Sequence, residues 1–151
     1  MKLYTLNRPA QGKNEDNFLA RKIDDNLALA VVADGLSDNN GAVASQCVIS
    51  RVGLPLEKRL QTERIVDIKR FMEETIFHVN RNYLTTMDRK DPSKSEKGET
   101  TLDIVVADLK DKMLHIESIG DSTVMLIYEN GEVEYITPKP IDESNHKQKP
   151  S

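Results

Sequence analysis

This sequence predicts an α+β fold, and three observations carry that expectation. Short apolar runs of strand length lie toward both ends of the chain. Between them, apolar residues recur at helical spacing. Strands and helices are therefore segregated along the chain rather than alternating, which argues for a layered antiparallel sheet over βαβ units.

Size and composition narrow the class further. The chain has 151 residues, enough for one domain with a real core. Hydrophobic residues make up 38% and charged residues 30%, the proportions of a globular protein rather than a disordered one. A formal net charge of -4 leaves no basic footprint for nucleic acid. Cys47 is the single cysteine, so no intrachain disulfide can form. His78, His115 and His146 show no ligand-like spacing, which leaves no Cys/His zinc site. Residues 1–9 contain no long apolar stretch. Neither a signal peptide nor a membrane span is expected there, and a cytoplasmic location is the default.

The first strand falls at residues 18–23, and Asp24-Asp25-Asn26 supplies a turn. Residues 27–33 form a continuous apolar run that ends at Asp34-Gly35, as a strand buried on both faces would. A helix follows over residues 40–52, with Asn39 or Asn40 as its cap and Gly53 and Pro55 as its end. Its small residues Gly41, Ala42, Ala44 and Ser45 let it lie close on a sheet. Residues 63–87 carry a helical stripe of Ile65, Ile68, Met72, Ile76, Val79 and Tyr83, widened by Phe71 and Phe77. A polar loop with Asp91-Pro92-Ser93 breaks the pattern. Strands are then expected at residues 101–108, 113–119, 122–128 and 132–136, as an antiparallel meander. Leu114, Ile116 and Ser118 alternate with His115, Glu117 and Ile119, which puts His115 on a polar face. Asn130-Gly131 reads as a two-residue hairpin turn. The organisation expected is a domain over residues 1–137 and a polar tail or unfinished loop over 138–151.

Carboxylates stand beside glycines and at strand ends. Glu15-Asp16 precede the first strand, Asp34-Gly35 end the second, and Gly120-Asp121-Ser122 join two later ones. Hard cations such as Mg²⁺ and Mn²⁺ want oxygen ligands. Gly35 has no side chain to block its own carbonyl from an ion. Glu15 and Asp34, brought together, need a cation or a raised pKa to coexist. Each motif alone is also an ordinary turn or surface charge.

Their order is more specific. Asn14-Glu15-Asp16-Asn17 is followed by Val31-Val32-Ala33-Asp34-Gly35, then Val43-Ala44-Ser45, then Gly98-Glu99-Thr100-Thr101-Leu102, then Ile119-Gly120-Asp121-Ser122, and finally Ile136-Thr137. That series resembles the PP2C, or PPM, family of metal-dependent serine/threonine protein phosphatases, from about residue 12 to residue 137. The resemblance implies an antiparallel β-sandwich flanked by helix pairs, here incomplete. It implies two Mn²⁺ or Mg²⁺ ions and a phosphoprotein substrate. Asp34 would bridge the ions, with Glu15 and the Gly35 carbonyl completing one of them. Asp16 would support them from behind, and Asp121 would help hold a further ion near the substrate. A metal-bridging water would attack phosphorus in phosphoserine or phosphothreonine. On this reading Asp34 and Asp121 are the catalytic carboxylates, and Cys47 has no role.

The sequence also departs from the family pattern. Gln11 stands where an arginine usually holds the substrate phosphate. No residue is assigned to phosphate; Arg8 and Lys13 are candidates that also read as surface cations. Leu36-Ser37-Asp38 follows Asp-Gly in place of a histidine-bearing segment, Glu99 intrudes before the two threonines, and Thr123 replaces an arginine. The later aspartates of the family have no counterpart, and neither Asp142 nor His146 lies in a matching motif. Two readings follow. The chain is a truncated phosphatase, nearly inactive alone, with an exposed sheet edge through which it self-associates. Alternatively it is a non-catalytic regulatory or binding module. Gln11, Leu36 and Thr123 lean toward the second, and the retained acids toward the first.

Overall fold

Two sheets of unequal size organise the computed structural model, which describes residues 14–36, 40–63, 67–90 and 98–137. Strands β1 (Asn17–Lys22), β2 (Leu27–Ala33), β3 (Leu102–Asp108) and β4 (Met113–Ile119) form one antiparallel sheet in that order. Strands β5 (Met125–Ile127) and β6 (Val133–Tyr135) form a separate hairpin. The helices are α1 (Gly41–Val48), α2 (Leu54–Thr62) and α3 (Ile68–Lys90), with a π-helical turn at Ile49–Gly53 between the first two.

Local chemistry sets the strand ends. Asp24 Oδ1 accepts the Asn26 and Leu27 N–H groups at 2.7 and 2.8 Å, closing the turn between β1 and β2. Asp108 Oδ1 does the same for Lys110 and Asp111 at the β3–β4 turn. The expected meander does not continue beyond β4. Gly120, at φ +107°, turns the chain away, and β5 pairs with β6 alone. The hairpin turn is also longer than two residues. Tyr128 N–H bonds the Glu132 carbonyl across Glu129-Asn130-Gly131, and only Gly131 of the three has positive φ. A two-residue type I′ turn needs positive φ at both central residues.

The helices cover one face of the larger sheet. Leu19, Leu29, Val31, Leu102, Ile104 and Val106 point into a core closed by Val52, Leu56, Leu60, Ile68 and Met72. The register explains the shared face, because Leu19 pairs with Val31 and Val31 with Ile104. The opposite face is less covered than the apolar run suggests. Val32 is 45% exposed and its partner Phe18 is 41% exposed. Strand β2 is therefore fully buried on one face and only partly on the other, where Ala28 is buried and Val32 is not. His115 pairs with Val106, whose side chain lies in the core, so that residue faces the helix side and is half-buried. Leu114 faces away and is exposed.

Helical chain runs further than the glycine and proline suggest. Gly53 has helical dihedrals, and a Cβ there would come within 3.1 Å of Leu19 Cδ2, so its small size serves a close approach. Pro55 sits in the first turn of α2, where a missing N–H is harmless. Asn40 does not cap α1 with its side chain; it adopts the left-handed conformation, φ 57°, and its carbonyl receives the Val43 and Ala44 N–H groups. Asn39 and the Asp91-Pro92-Ser93 loop lie outside the described residues. In α3 the stripe holds for Ile68 and Met72, with Phe71, Ile76 and Val79 packed at its margin. Ile65 and the Tyr83 side chain lie outside the described residues. Phe77 does not join the stripe, since it is 62% exposed. Arg59 stacks over Phe71 at 4.2 Å and ties α2 to α3. Among the described residues, no helix is long and apolar enough to cross a membrane.

Candidate functional site

The strand topology brings three of the acidic motifs to one end of the larger sheet. Glu15 and Asp16 enter β1, Asp34 leaves β2, and Asp121 leaves β4. The antiparallel pairing of Asn17 with Ala33, and of Leu102 with Ile119, puts these ends side by side.

Backbone contacts then tighten the arrangement. Gly35 pairs with Thr100 in an isolated bridge. A Cβ on Gly35 would stand 2.4 Å from the Gly41 carbonyl carbon and 2.6 Å from the Glu15 carbonyl oxygen. A Cβ on Gly41 would in turn stand 2.4 Å from the carbonyl carbon of Gly35. Three backbone segments meet here: the approach to β1, the exit from β2 and the start of α1. Neither glycine leaves room for a methyl group. That close packing is a reason for Gly35 that an Asp-Gly motif alone does not reveal, and it makes Gly41 part of the site.

Hydroxyl groups hold the same end. Ser45, fully buried, donates to the Glu15 carbonyl and accepts from Asn17 Nδ2 at 2.8 Å. Thr101 Oγ1 accepts the Asp34 N–H at 3.0 Å, while the Asp34 carbonyl accepts from Thr101 N–H and Thr100 Oγ1 at 2.8 and 2.9 Å. Thr101 Oγ1 also lies 2.7 Å from Ser122 Oγ. Sequence reasoning found the Ser45, Thr100–Thr101 and Ser122 motifs but gave their hydroxyls no task.

The electrostatics follow from crowded carboxylates. Asp34 keeps one side open to solvent. Partial burial, a hydrogen bond shared with Asp16, and the negative charges of Asp16 and Asp121 raise its pKa above 3.8. Glu15 Oε2 is enclosed and has no hydrogen-bond partner. A buried carboxylate oxygen without a donor is costly, and a cation would relieve it. These are hard oxygen donors, the kind that suit Mg²⁺ or Mn²⁺. They do not yet form a cage: among the described residues, no three His, Cys, Asp or Glu side chains are grouped closely enough to hold an ion.

The expected positions divide clearly. Asp16 and Asp121 each act on Asp34, and Gly35 packs against the Glu15 main chain. Gln11, Arg8, Lys13, Asp38, Asp142, His146 and the 138–151 tail lie outside the described residues. Leu36 is exposed, and its N–H bonds the Glu99 carbonyl at 3.0 Å. A cavity of about 390 Å³ lies on the other side of Thr100, walled by Ala44, Cys47, Val48, Ile76, Val79 and Leu102 among others. Its lining is mostly apolar, with Asn80, Glu99 and Thr100 as the polar members, and Cys47 serves there as a half-buried hydrophobe.

A family model described as protein phosphatase 2C matches residues 7–145. The chain belongs to the protein phosphatase 2C family. Solved structures agree. The serine/threonine phosphatase PstP of Mycobacterium tuberculosis is 26% identical, with a TM-score of 0.66 over 86% of this chain and 50% of that one. Stp1 of Staphylococcus aureus is 23% identical, with a TM-score of 0.64 over 89% and 51% of the two chains, a likeness of fold. RsbX, solved in complex with magnesium, is 22% identical, with a TM-score of 0.56 over 91% and 57%. The chain thus spans about half the length of these solved structures. No curated protein matches it. The protein phosphatase 2C fold is present here in part: an α+β arrangement with one antiparallel sheet and its covering helices.

Proposed function

We propose that this chain contributes one side of the divalent-metal site of a phosphoserine/phosphothreonine phosphatase. One observation carries the reading: the strand order brings Asp16, Asp34 and Asp121 to one end of the larger sheet, where partial burial and the neighbouring charges raise the Asp34 pKa above its ordinary value. A fold has little use for such mutual repulsion unless a cation relieves it.

The roles follow from position. Asp34 feels the charges of both Asp16 and Asp121 and would be the shared ligand. Glu15 Oε2, enclosed and unpartnered, and the Gly35 carbonyl would complete one ion. Asp16 would orient Asp34 through their common hydrogen bond, and Asp121 would serve a further ion on the substrate side. Mn²⁺ or Mg²⁺ supplies Lewis acidity toward phosphate and a more acidic bound water. The chain's own residues hold the carboxylates in place, and a bound cation would offset the burial penalty and the repulsion that raise the Asp34 pKa. The substrate would be a phosphoprotein, with Arg8 and Lys13 as candidate phosphate contacts.

A second reading is a non-catalytic module of the same family. The absence of a three-ligand group among the described residues favours it, as do Leu36 and Thr123. Calorimetric titration with Mn²⁺ and hydrolysis of a phosphothreonine peptide separate the two. The enzyme reading expects Mn²⁺ binding by this chain that Asp34→Ala abolishes. It also expects Mn²⁺-dependent turnover once residues completing the sandwich are added. Mn²⁺ affinity unchanged by Asp34→Ala would sink the bridging role. A folded, completed protein without turnover favours the module.

A further inference from the structure

Asp34 and Asp121 leave strands that are not neighbours. Strand β3 lies between β2 and β4. Adjacent strands are about 4.8 Å apart, so no ladder bond joins the two ends directly. Thr101, just ahead of β3, reaches both. Its Oγ1 accepts the Asp34 N–H at 3.0 Å and lies 2.7 Å from Ser122 Oγ. Its N–H bonds the Asp34 carbonyl at 2.8 Å. Its methyl side meets Gly120, where a Cβ would come within 2.8 Å of Thr101 Cγ2. Asp121 is thus bracketed by two residues that both touch Thr101.

The hydrogen-bond inventory allows both contacts together. A threonine hydroxyl has one proton and two lone pairs. One lone pair takes the Asp34 N–H. The proton, or the second lone pair, serves Ser122. Thr101 is only 6% exposed, so bulk water does not replace these bonds. Ser122 is steadied from its far side, where its carbonyl accepts from Thr137 Oγ1 at 3.4 Å. Thr137 Oγ1 itself accepts the Val124 N–H at 2.8 Å.

We propose that Thr101 is a positioning residue whose hydroxyl, bonded to Asp34 N–H and Ser122 Oγ, sets the separation of the Asp34 and Asp121 carboxylates. The proposal rests on the reading that these two carboxylates serve one site. Valine fills the same space and makes neither bond. Serine makes both and gives up the contact with Gly120.

Amide hydrogen exchange on the 151-residue chain without added metal tests the coupling. In Thr101→Val, exchange at Asp34 should rise about tenfold relative to Val31 within β2. In Thr101→Ser it should return to within about threefold of the parent. Ser122→Ala is the sharper variant because it leaves Asp34's direct partner in place; exchange at Asp34 should still rise, by about threefold or more. An equal rise at Asp34 and Val31 would show that Thr101 serves only global stability, and would overturn the proposal. Unchanged exchange at Asp34 in Ser122→Ala would overturn it too. Mn²⁺ calorimetry on the same variants separates this inference from the function on which it rests. Binding about tenfold weaker in Thr101→Val and near the parent in Thr101→Ser supports both. Equal binding in Thr101→Val and the parent overturns the positioning role. A parent chain that takes up no Mn²⁺ overturns the metal-site reading, and the exchange data then still decide whether Thr101 couples the two ends.

Discussion

Ser45 holds the main chain of Glu15 in place: its buried hydroxyl donates to the Glu15 carbonyl, one residue before Asp16. The same oxygen accepts from Asn17 Nδ2 at 2.8 Å. One side chain of α1 therefore fixes the stretch of chain that carries both N-terminal acids.

Ser45→Ala removes this clamp with little change in volume. The Glu15 carbonyl and the Asn17 amide lose their partner in a region largely closed to water. The expected loss of stability is about 1–3 kcal/mol. Urea unfolding should show a lower midpoint with an unchanged slope. A stability loss under about 0.5 kcal/mol would mean that water replaces the hydroxyl.

Gly35 and Gly131 predict opposite kinds of sensitivity. At Gly35 an added methyl meets three backbone atoms within 2.6 Å, and backbone cannot move aside cheaply. Gly35→Ala should cost about 3 kcal/mol or more and separate Glu15 from α1. At Gly131 nothing lies within 4 Å, and only the positive φ of +85° opposes a side chain. Gly131→Ala should cost about 1 kcal/mol. Paired thermal melts check the order. A milder effect at Gly35 than at Gly131 would show that the three segments pack more loosely than described.

Much of this was legible in the sequence, and the failures share a cause. Strand β2, the α3 stripe through Ile68 and Met72, and the turns at Asp24 and Asp108 follow from local patterning that any fold must respect. The acids at strand ends were legible because of their order along the chain. Tertiary context decided the rest. The apolar run at 27–33 reads as doubly buried, yet Val32 is exposed in a chain half the length of its structural relatives. Phe77 fits the helical period but falls outside the covered arc. Gly53 and Pro55 look like a helix end, but one is small for Leu19 and the other opens a new helix. The hydroxyl links from Ser45 and Thr101 span 28 residues to Asn17 and 67 to Asp34. No local pattern encodes contacts that distant.

The raised pKa of Asp34 makes a signed prediction. A folded-state pKa above the ordinary 3.8 means the folded chain holds that proton more tightly than the unfolded chain. Ionised Asp34 therefore destabilises the fold above its raised pKa. The penalty fades as pH falls through that value and is gone below the ordinary one. Asp34→Asn should melt higher than the parent at pH 7 without metal, and the difference should vanish near pH 3. Added Mn²⁺ should raise the parent's melting temperature and leave the variant's unchanged, because only the parent gains a ligand-binding term. A variant that melts lower than the parent at neutral pH would show that ionised Asp34 already has a favourable partner.

Asp103 offers the last test, away from the acidic end. It lies in β3, paired with Val32 and Ser118, on the sheet face turned away from the helices. It is 5% exposed, and its Oδ1 has no hydrogen-bond partner. A strand interior favours β-branched residues, and an orphaned buried polar atom costs about 1–3 kcal/mol. Asp103→Val removes the orphan, nearly preserves volume and suits the strand. It should stabilise this chain by about 1–2 kcal/mol at pH 7. Asp103→Asn keeps a buried polar group and should gain less. Chemical denaturation of both variants gives the comparison. A clear loss of stability in Asp103→Val would mean that the carboxylate already has a donor, one that a hydrophobic replacement abandons.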